Sequence, residues 1–574
     1  MNIFKEFLIK IKNIIEENNK VLNLEKLNSL KGVTVENPPS EFNFDLSCNV
    51  VLILSKLNKK NPKELASKIK KLFLEKIKEF EDIEIAGPGF LNIKLKNEVI
   101  KKIALDITKS KNKYGSSNNN KKYNVEFVSA NPTGPMHVGH CRGAIFGDVL
   151  ANLLKFNGNK VTKEYYINDY GNQIKNFTKS VFLRIREIKF KEKFVNSKNL
   201  YPGDYIIDIA KNIIQSNPKL EFKNYEDCYE ILTKESLNES MKLIKSDLNE
   251  LGIIHDNFFS ETEIVNKNLV NKSIKYLQEK NYVVEGYLEP PKGEDIKEWK
   301  KTKRLIFKST LFGDDADRSM QKNDGSWTYF ANDVAYHSDK VSRNFDFLIN
   351  ILGADHTGYI KRITAAVEAL SNNKIKLDCK VCQLVKLYKN GKPFKMSKRA
   401  GDFISAKDLL NEVNKDAIRF MMLNRSNDVE IDFDFDKVLE KSKDNPVFYI
   451  QYCYARINSL FDTLHINLAD DIIVGDKSFI LNNYEQKIMR KIYDWPKVIE
   501  SASNKYEPHR IPFYLYDLAT LFHSYWSKGN DDEMYKFIKD GKIKSLNTLL
   551  VIKALSIVIE NGMKILNVSL PKKM

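Results

Sequence analysis

Cysteine is scarce in this chain. Six occur among 574 residues, Cys48, Cys141, Cys228, Cys379, Cys382 and Cys453, scattered along the sequence, which excludes a disulfide framework and predicts a reducing compartment. Only Cys379-Lys380-Val381-Cys382 has the gap of a metal pair, and no second Cys or His pair lies near it, so a strand entry is predicted there and no metal site. Long apolar runs are also missing. None reaches the roughly 18 residues that cross a bilayer, and the opening MNIFKEFLIKIKNIIEENNK interleaves Lys and Glu with Phe4, Phe7, Leu8, Ile11, Ile14 and Ile15, which makes an amphipathic helix and not a secretory leader. The expectation is a cytoplasmic protein with no membrane partner. No internal repeat and no coiled-coil heptad is visible, which argues against a solenoid and predicts a monomer.

Acidic residues are outnumbered, 75 Asp+Glu against 92 Lys+Arg, for a net charge of +17. Such an excess suits a polyanionic partner through phosphate neutralisation. Compositional drift remains the other reading, because Lys and Asn are abundant even in unpatterned stretches such as Lys109 to Lys122. A chain of this length is too long for one core and predicts roughly three to five domains.

The most informative stretch is VEFVSANPTGPMHVGHCRGAIFGDVLANLL, Val125 to Leu154. Val125, Phe127 and Val128 read as a buried strand and Asn131 to Pro135 as a loop. Ile145, Val149, Leu150, Leu153 and Leu154 recur at helical spacing. His137 and His140 therefore lie where a strand hands over to a helix, the usual ligand edge of a parallel α/β sheet, whose free N–H groups suit a phosphate. A lone histidine is most often a satisfied core or surface residue; two in this setting point the other way. Far downstream, after a strand-like Cys382 to Tyr388, Lys395-Met396-Ser397-Lys398-Arg399-Ala400-Gly401 gathers three cations in one loop.

HVGH and KMSK, in this order and in these settings, resemble the two signatures of class I aminoacyl-tRNA synthetases, and the flanking residues are similar to arginyl-tRNA synthetases. Further stretches carry the same resemblance. Ala86-Gly87-Pro88-Gly89-Phe90-Leu91-Asn92 resembles an element of the N-terminal domain of that family, and Asn445 to Tyr452, Ala455-Arg456 and the ending Leu570 to Met574 resemble its anticodon-binding domain. The implied fold is α/β: a class I Rossmann-like parallel-sheet catalytic domain at 123–408, with an insertion at about 180–300 that receives the tRNA acceptor end. An N-terminal α+β domain at 1–110 contacts the tRNA D-loop, and a C-terminal α-helical bundle of four to six helices at 409–574 binds the anticodon. The polar, basic tract Lys109 to Lys122 reads as a flexible linker between the first two.

The implied activity is ligation of L-arginine to the 3′-terminal adenosine of tRNA(Arg) through an arginyl-adenylate, with ATP and Mg²⁺. Such a displacement at phosphorus depends on positioning and electrostatic stabilisation, so it calls for donors and cations. The resemblance gives catalysis to His137, His140, Lys395 and Lys398, and ATP binding to these with Gly139, Asp355, His356, Met396 and Ser397. It gives arginine to Glu126, Asn131, Tyr329 and Asp333, since a guanidinium fork pairs with carboxylates. By alternation alone Glu126 faces either solvent or the site. If its segment is helical, Tyr329 lies one turn before Asp333. For tRNA the implied residues are Phe90, Asn92, Tyr452, Arg456 and Met574; without the resemblance, Phe90 reads as core and Asn92 as a turn residue. Two further positions bear on type: Gly134 stands where family members lacking the second KMSK lysine carry a compensating one, and Thr357 departs from a frequent histidine. A class I synthetase for another amino acid and a catalytically inactive tRNA-binding relative are the alternatives.

Overall fold

A computed structural model describes residues 2–25, 30–39, 42–288, 302–394, 404–473 and 479–574. The chain divides into two compact units. One comprises residues 118–440 and 566–568; the other joins residues 1–117 with 441–565 and 569–574.

The first unit is built on five parallel strands: β1 (Lys122–Glu126), β2 (Lys160–Ile167), β3 (Asn257–Ser260), β4 (Phe347–Gly353) and β5 (Lys376–Cys382), in the order β5-β4-β1-β2-β3. The strand that begins the glycine-rich stretch is therefore central. It hands over to helix α1 (Val138–Phe156), whose Gly147 lies so close to Phe127 that a Cβ there would come within 2.3 Å of its ring. Between β2 and β3 run the helices Asn172–Phe190 and Tyr205–Ser216 and helix α2 (Tyr225–Glu250). They enclose their own core of Phe177, Val181, Ile206, Ile209, Ile213 and Leu232. Residues 257–260, inside the stretch expected as an insertion, form the edge strand of the main sheet.

Helix α3 (Tyr329–Ser342) follows, started by the Thr328 side chain accepting the Ala331 N–H. It packs its buried face into a core with Phe259, Ile264, Phe307, Leu348 and Ile363. In parallel strands, residues in register present their side chains on one face. Glu126 is in register with Glu164 on one side and Asn350 on the other, so a polar row crosses the sheet, and α3 covers it.

The predicted strand ends earlier than its apolar pattern suggests. Val128 and Ser129 adopt left-handed backbone conformations, φ 71° and 41°, which a β-branched residue rarely does. The chain thus leaves the sheet after Glu126. Ser129 Oγ then donates to Glu126 Oε1 at 3.1 Å and accepts the Tyr166 N–H at 3.1 Å.

In the other unit, an antiparallel sheet pairs Val35–Glu36, Leu46–Cys48, Phe90–Leu95 and Phe80–Ala86 in that order. The Gly-Pro-Gly turn closes the hairpin with Gly87 and Gly89 at φ 53° and 135°, values that favour glycine. Four long helices, Pro446–Thr463, Asn483–Lys505, Arg510–Asp531 and Leu546–Leu566, form the bundle. The tract predicted as a flexible linker is anchored in part. Lys109 and Ser110 end a helix, and Tyr114 is buried, its hydroxyl donating to Ile492 O at 3.1 Å and its carbonyl accepting from Trp495 Nε1 at 3.1 Å. Among the described residues no helix is long and apolar enough to cross a membrane.

Candidate active site

The chain leaves β1 through β2 and β3 and returns on the opposite side at β4. Such a switch point opens a crevice at the carboxyl ends of the strands. Here it is a cavity of about 670 Å³, lined among others by Glu126, Asn131, His137, Gly139, His140, Asp333, Asp355 and His356.

His137 caps α1. Its Nδ1 accepts the Gly139 N–H at 3.1 Å, its own backbone N–H donates to His140 Nδ1 at 3.2 Å, and the two rings stack with centroids 3.7 Å apart. A ring nitrogen that accepts carries no proton, so each neutral imidazole holds its proton on Nε2 and offers one N–H donor. Burial lowers the pKa of His137; burial and the neighbouring His137 bring His140 down to about 4. The pair therefore acts as neutral donors at a helix N-terminus. A Cβ on Gly139 would stand 2.9 Å from the His137 ring, so the stack requires glycine there.

Lys395, Met396, Ser397 and Lys398 lie outside the described residues. The described residues on both sides of that stretch are tied to the histidine segment. On one side Val138 N–H donates to Ile404 O at 2.9 Å and Ala406 N–H to Met136 O at 2.8 Å, bracketing a His137–Ser405 bridge. On the other, Arg142 of α1, almost wholly buried, donates to Gln383 O at 2.8 Å and Ser426 O at 2.7 Å. Gln383 precedes Val385–Lys389, the strand that leads to the loop. From α2, Asp247 accepts the Met136 N–H at 2.9 Å, with burial raising its carboxyl to about 6.

The remainder of the cavity is acidic. Glu126 faces α3, where Lys340 pairs with it. Asp333, one turn inside the same helix, accepts the Tyr359 hydroxyl. Burial pushes its carboxyl up to about 7, with Glu261 and Glu126 adding to the rise and the Tyr359 hydrogen bond opposing it. Asn131 lines the cavity and its Oδ1 accepts from Asn168 Nδ2 at 3.3 Å. Asp355 and His356 pair at 3.5 Å in an exposed turn of the lining, where Thr357 Oγ1 donates to Ala354 O at 2.8 Å. Tyr329 begins α3 but is 76% exposed and does not line the cavity. A Cβ on Gly134 would meet the Tyr205 ring at 2.9 Å.

Residues 104–461 match the family described as "tRNA synthetases class I (R), catalytic domain", residues 5–95 the "Arginyl tRNA synthetase N terminal domain", and residues 450–574 the "DALR anticodon binding domain". The chain is 56% identical over 577 residues to an arginine–tRNA ligase of Pelagibacter ubique (strain HTCC1062), covering 100% of both. It belongs to the arginyl-tRNA synthetase family. An arginine–tRNA ligase of Wolbachia pipientis subsp. Culex pipiens (strain wPip) is 44% identical, with 100% of both chains covered. The solved Thermus thermophilus arginyl-tRNA synthetase shares the fold at a TM-score of 0.71 and 18% identity, covering 99% of this chain and 100% of that one. ATP use follows from membership of this family.

The family's other element is the opposite of a core residue in this chain. Phe90 is 41% exposed beside a pocket of about 390 Å³ lined also by Asn92, whose buried Nδ2 has no hydrogen-bond partner. On the bundle, Arg456 lies over the rings of Tyr452 and Trp526, 4.2 and 5.2 Å from their centroids, and donates to His523 Nδ1 at 3.1 Å. Met574 is exposed. Among the cavity residues that carry no expectation from the sequence are Tyr336, His337, Asn350 and Tyr359, with Lys340 beneath them. Asp333, Tyr336, His337 and Lys340 share one helical face, so a polar stripe on the buried side of α3 is the signal that finds most of them.

Proposed function

We propose that this protein is an arginine–tRNA ligase that activates L-arginine with ATP and transfers it to the 3′-terminal adenosine of tRNA(Arg). The observation that carries the reading is the pairing, in one cavity, of two neutral Nε2–H donors at a helix N-terminus with two carboxyls on a covered floor. The first pair suits a phosphate and the second a guanidinium.

In this reading His137 and His140 donate to the phosphates as charge develops on them, Gly139 leaves room beside the backbone, and Lys395 and Lys398 supply cations from the far loop, with Met396 and Ser397 shaping it. Asp355 and His356 contact the nucleotide. Glu126 and Asp333 take the guanidinium, with Asn131 at the amino-acid end; Tyr329, outside the cavity, is given no contact with it. No nucleophilic side chain is required, because the arginine carboxylate attacks the α-phosphorus and pyrophosphate leaves. Mg²⁺ enters as part of the substrate. The oxygens of the ATP phosphates and water supply most of its shell. Phe90 stacks on a base of the tRNA and Asn92 bonds it; Tyr452, Arg456 and Met574 meet the anticodon arm. We place the enzyme in the cytoplasm as a monomer.

The test is aminoacylation of total tRNA with each amino acid in turn, alongside ATP–pyrophosphate exchange. Arginine alone is expected to be charged, with exchange appearing only when tRNA is present. Charging with lysine or glutamine in place of arginine would sink the assignment.

A further inference from the structure

The floor of the cavity holds a cation that the reaction itself does not call for. Lys340, completely buried on α3, pairs with Glu126 and donates to Asn350 Oδ1 at 3.1 Å, and its ammonium lies 4.5 Å from the centroid of the Tyr336 ring. Two donors of the ammonium are thereby hydrogen-bonded and the ring face lies beside it. The Asn350 carbonyl oxygen being taken, its Nδ2 donates to His337 Nε2 at 3.0 Å. That nitrogen accepts, so the neutral ring carries its proton on Nδ1 and donates it to Asp333 O at 2.8 Å. The polarity of the chain is thus the same from Lys340 through Asn350 and His337 to the backbone of Asp333. Glu126 branches from its head.

We propose that Lys340 is the positioning residue of the arginine pocket: it pairs with Glu126 and holds it aimed into the cavity, and through Asn350 and His337 it fixes that carboxylate relative to the helical turn carrying Asp333. The inference rests on the proposed assignment of Glu126 and Asp333 to the guanidinium. A carboxylate on a covered floor has little water to solvate it, and without a counter-ion it takes a proton instead. The other charged or titratable groups around this ammonium are Glu164 and Arg343, which pair with each other at 2.5 and 2.8 Å, the His337 ring, Asp333, and the Cys379 thiol on β5. Glu164 is therefore already neutralised by its own partner, which leaves Glu126 as the carboxylate that depends on Lys340. A guanidinium entering the pocket meets one carboxylate already balanced and one, Asp333, still uncompensated. Two bidentate partners are thus presented without two unpaired buried charges standing in the empty site.

The experiment is a double-mutant cycle on Lys340→Met and Glu126→Gln, read as the arginine KM and the ATP KM beside the wild-type enzyme in tRNA-dependent exchange. Lys340→Met is expected to raise the arginine KM at least about tenfold while leaving the ATP KM within about twofold, a split that a general loss of folding would not give. The double variant should match Glu126→Gln within about twofold, because Lys340 acts only through that carboxylate. If Lys340→Met does not fold, the double variant, which leaves neither the buried ammonium nor the carboxylate, decides by comparison with Glu126→Gln. An unchanged arginine KM in Lys340→Met, or a double variant as weak as the product of the singles, would each overturn the proposal. An unchanged arginine KM in Glu126→Gln would overturn it as well while leaving the ligase reading intact; a wild-type enzyme that charges a different amino acid would overturn that reading instead.

Discussion

Arginine binding should be proton-linked, through Asp333. The carboxyl sits partly buried beside the Tyr359 hydroxyl with a pKa raised to about 7, whereas a guanidinium is protonated throughout the accessible range. Only the ionised carboxyl pairs with it bidentately, so arginine must draw the proton off. At pH 8 about nine-tenths of the free protein holds Asp333 ionised and at pH 6 about one-tenth, so arginine affinity should fall about tenfold, near 1.4 kcal/mol, across that interval. His140 and His337 add nothing there, since they titrate at about 4 and about 3. Glu261, raised to about 6 by burial, adds only at the acid end. Isothermal titration with arginine at pH 6, 7 and 8 reads the effect directly. At pH 7 about half a proton should leave per arginine bound, so heats measured in two buffers of different ionisation enthalpy should differ by about half that difference. Asp333→Asn should bind weakly and without pH dependence. Equal affinities at pH 6 and pH 8, with heats independent of buffer, would refute the reasoning. The same carboxyl carries a stability signature. Its pKa in the fold lies above its ordinary value of 3.8, so its stabilising contribution is full below that value and is lost as pH rises through about 7. Ligand-free Asp333→Asn should therefore gain on the wild type as pH rises from about 4 to about 7, melting furthest above it at pH 8 and drawing level only at or below about pH 4.

Replacing Asp333 with Ala should raise the arginine KM by about a hundredfold or more while the ATP KM stays within about twofold, because a charge-assisted bidentate pair is lost and the phosphate donors are untouched; steady-state exchange kinetics separate the two. Removing the Nε2–H donor of His140, as in His140→Ala, should lower kcat by about 10² to 10³ with a small change in the ATP KM, the pattern of a donor that tightens on the developing charge, and a KM-only effect would move His140 out of that role. Phe90→Ala and Asn92→Ala should each raise the tRNA KM severalfold at unchanged arginine and ATP KM, since Phe90 stands exposed and the Asn92 Nδ2 is unpaired beside it; equal tRNA kinetics would return both to structural roles. If the excess positive charge meets phosphates, tRNA affinity should fall steeply and linearly in log salt concentration, and a flat response in filter binding would assign the charge to composition.

Contiguity decides how much of this site can be read from the chain alone. The strand, turn and helix around His137 and His140 follow one another within thirty or so residues, and local periodicity and turn chemistry suffice to place both rings at a helix N-terminus. The strand's end is different. Val128 belongs to a strand by every local preference, yet the backbone turns left-handed there, and the reason lies in a partner forty residues on, where Ser129 takes the Tyr166 N–H while holding Glu126. Glu126 itself shows the same limit. Alternation leaves its direction open until β2 and β4 are laid beside β1; then Glu164 and Asn350 fall in register with it, and the polar row must face whatever helix brings donors. Tyr114 is a parallel case outside the site, a single aromatic in a polar tract that reads as linker until the Trp495 indole and Ile492 carbonyl reach it. Helix α3 brings the donors for the polar row, and its spacing announces them. A stripe of Asp333, Tyr336, His337 and Lys340 on the face that carries Phe330, Val334 and Ala335 into the core is costly unless each polar group meets a partner. Polar periodicity on a buried helical face therefore carries the same kind of information as the histidine signature, and in this chain it points to the floor of the same cavity.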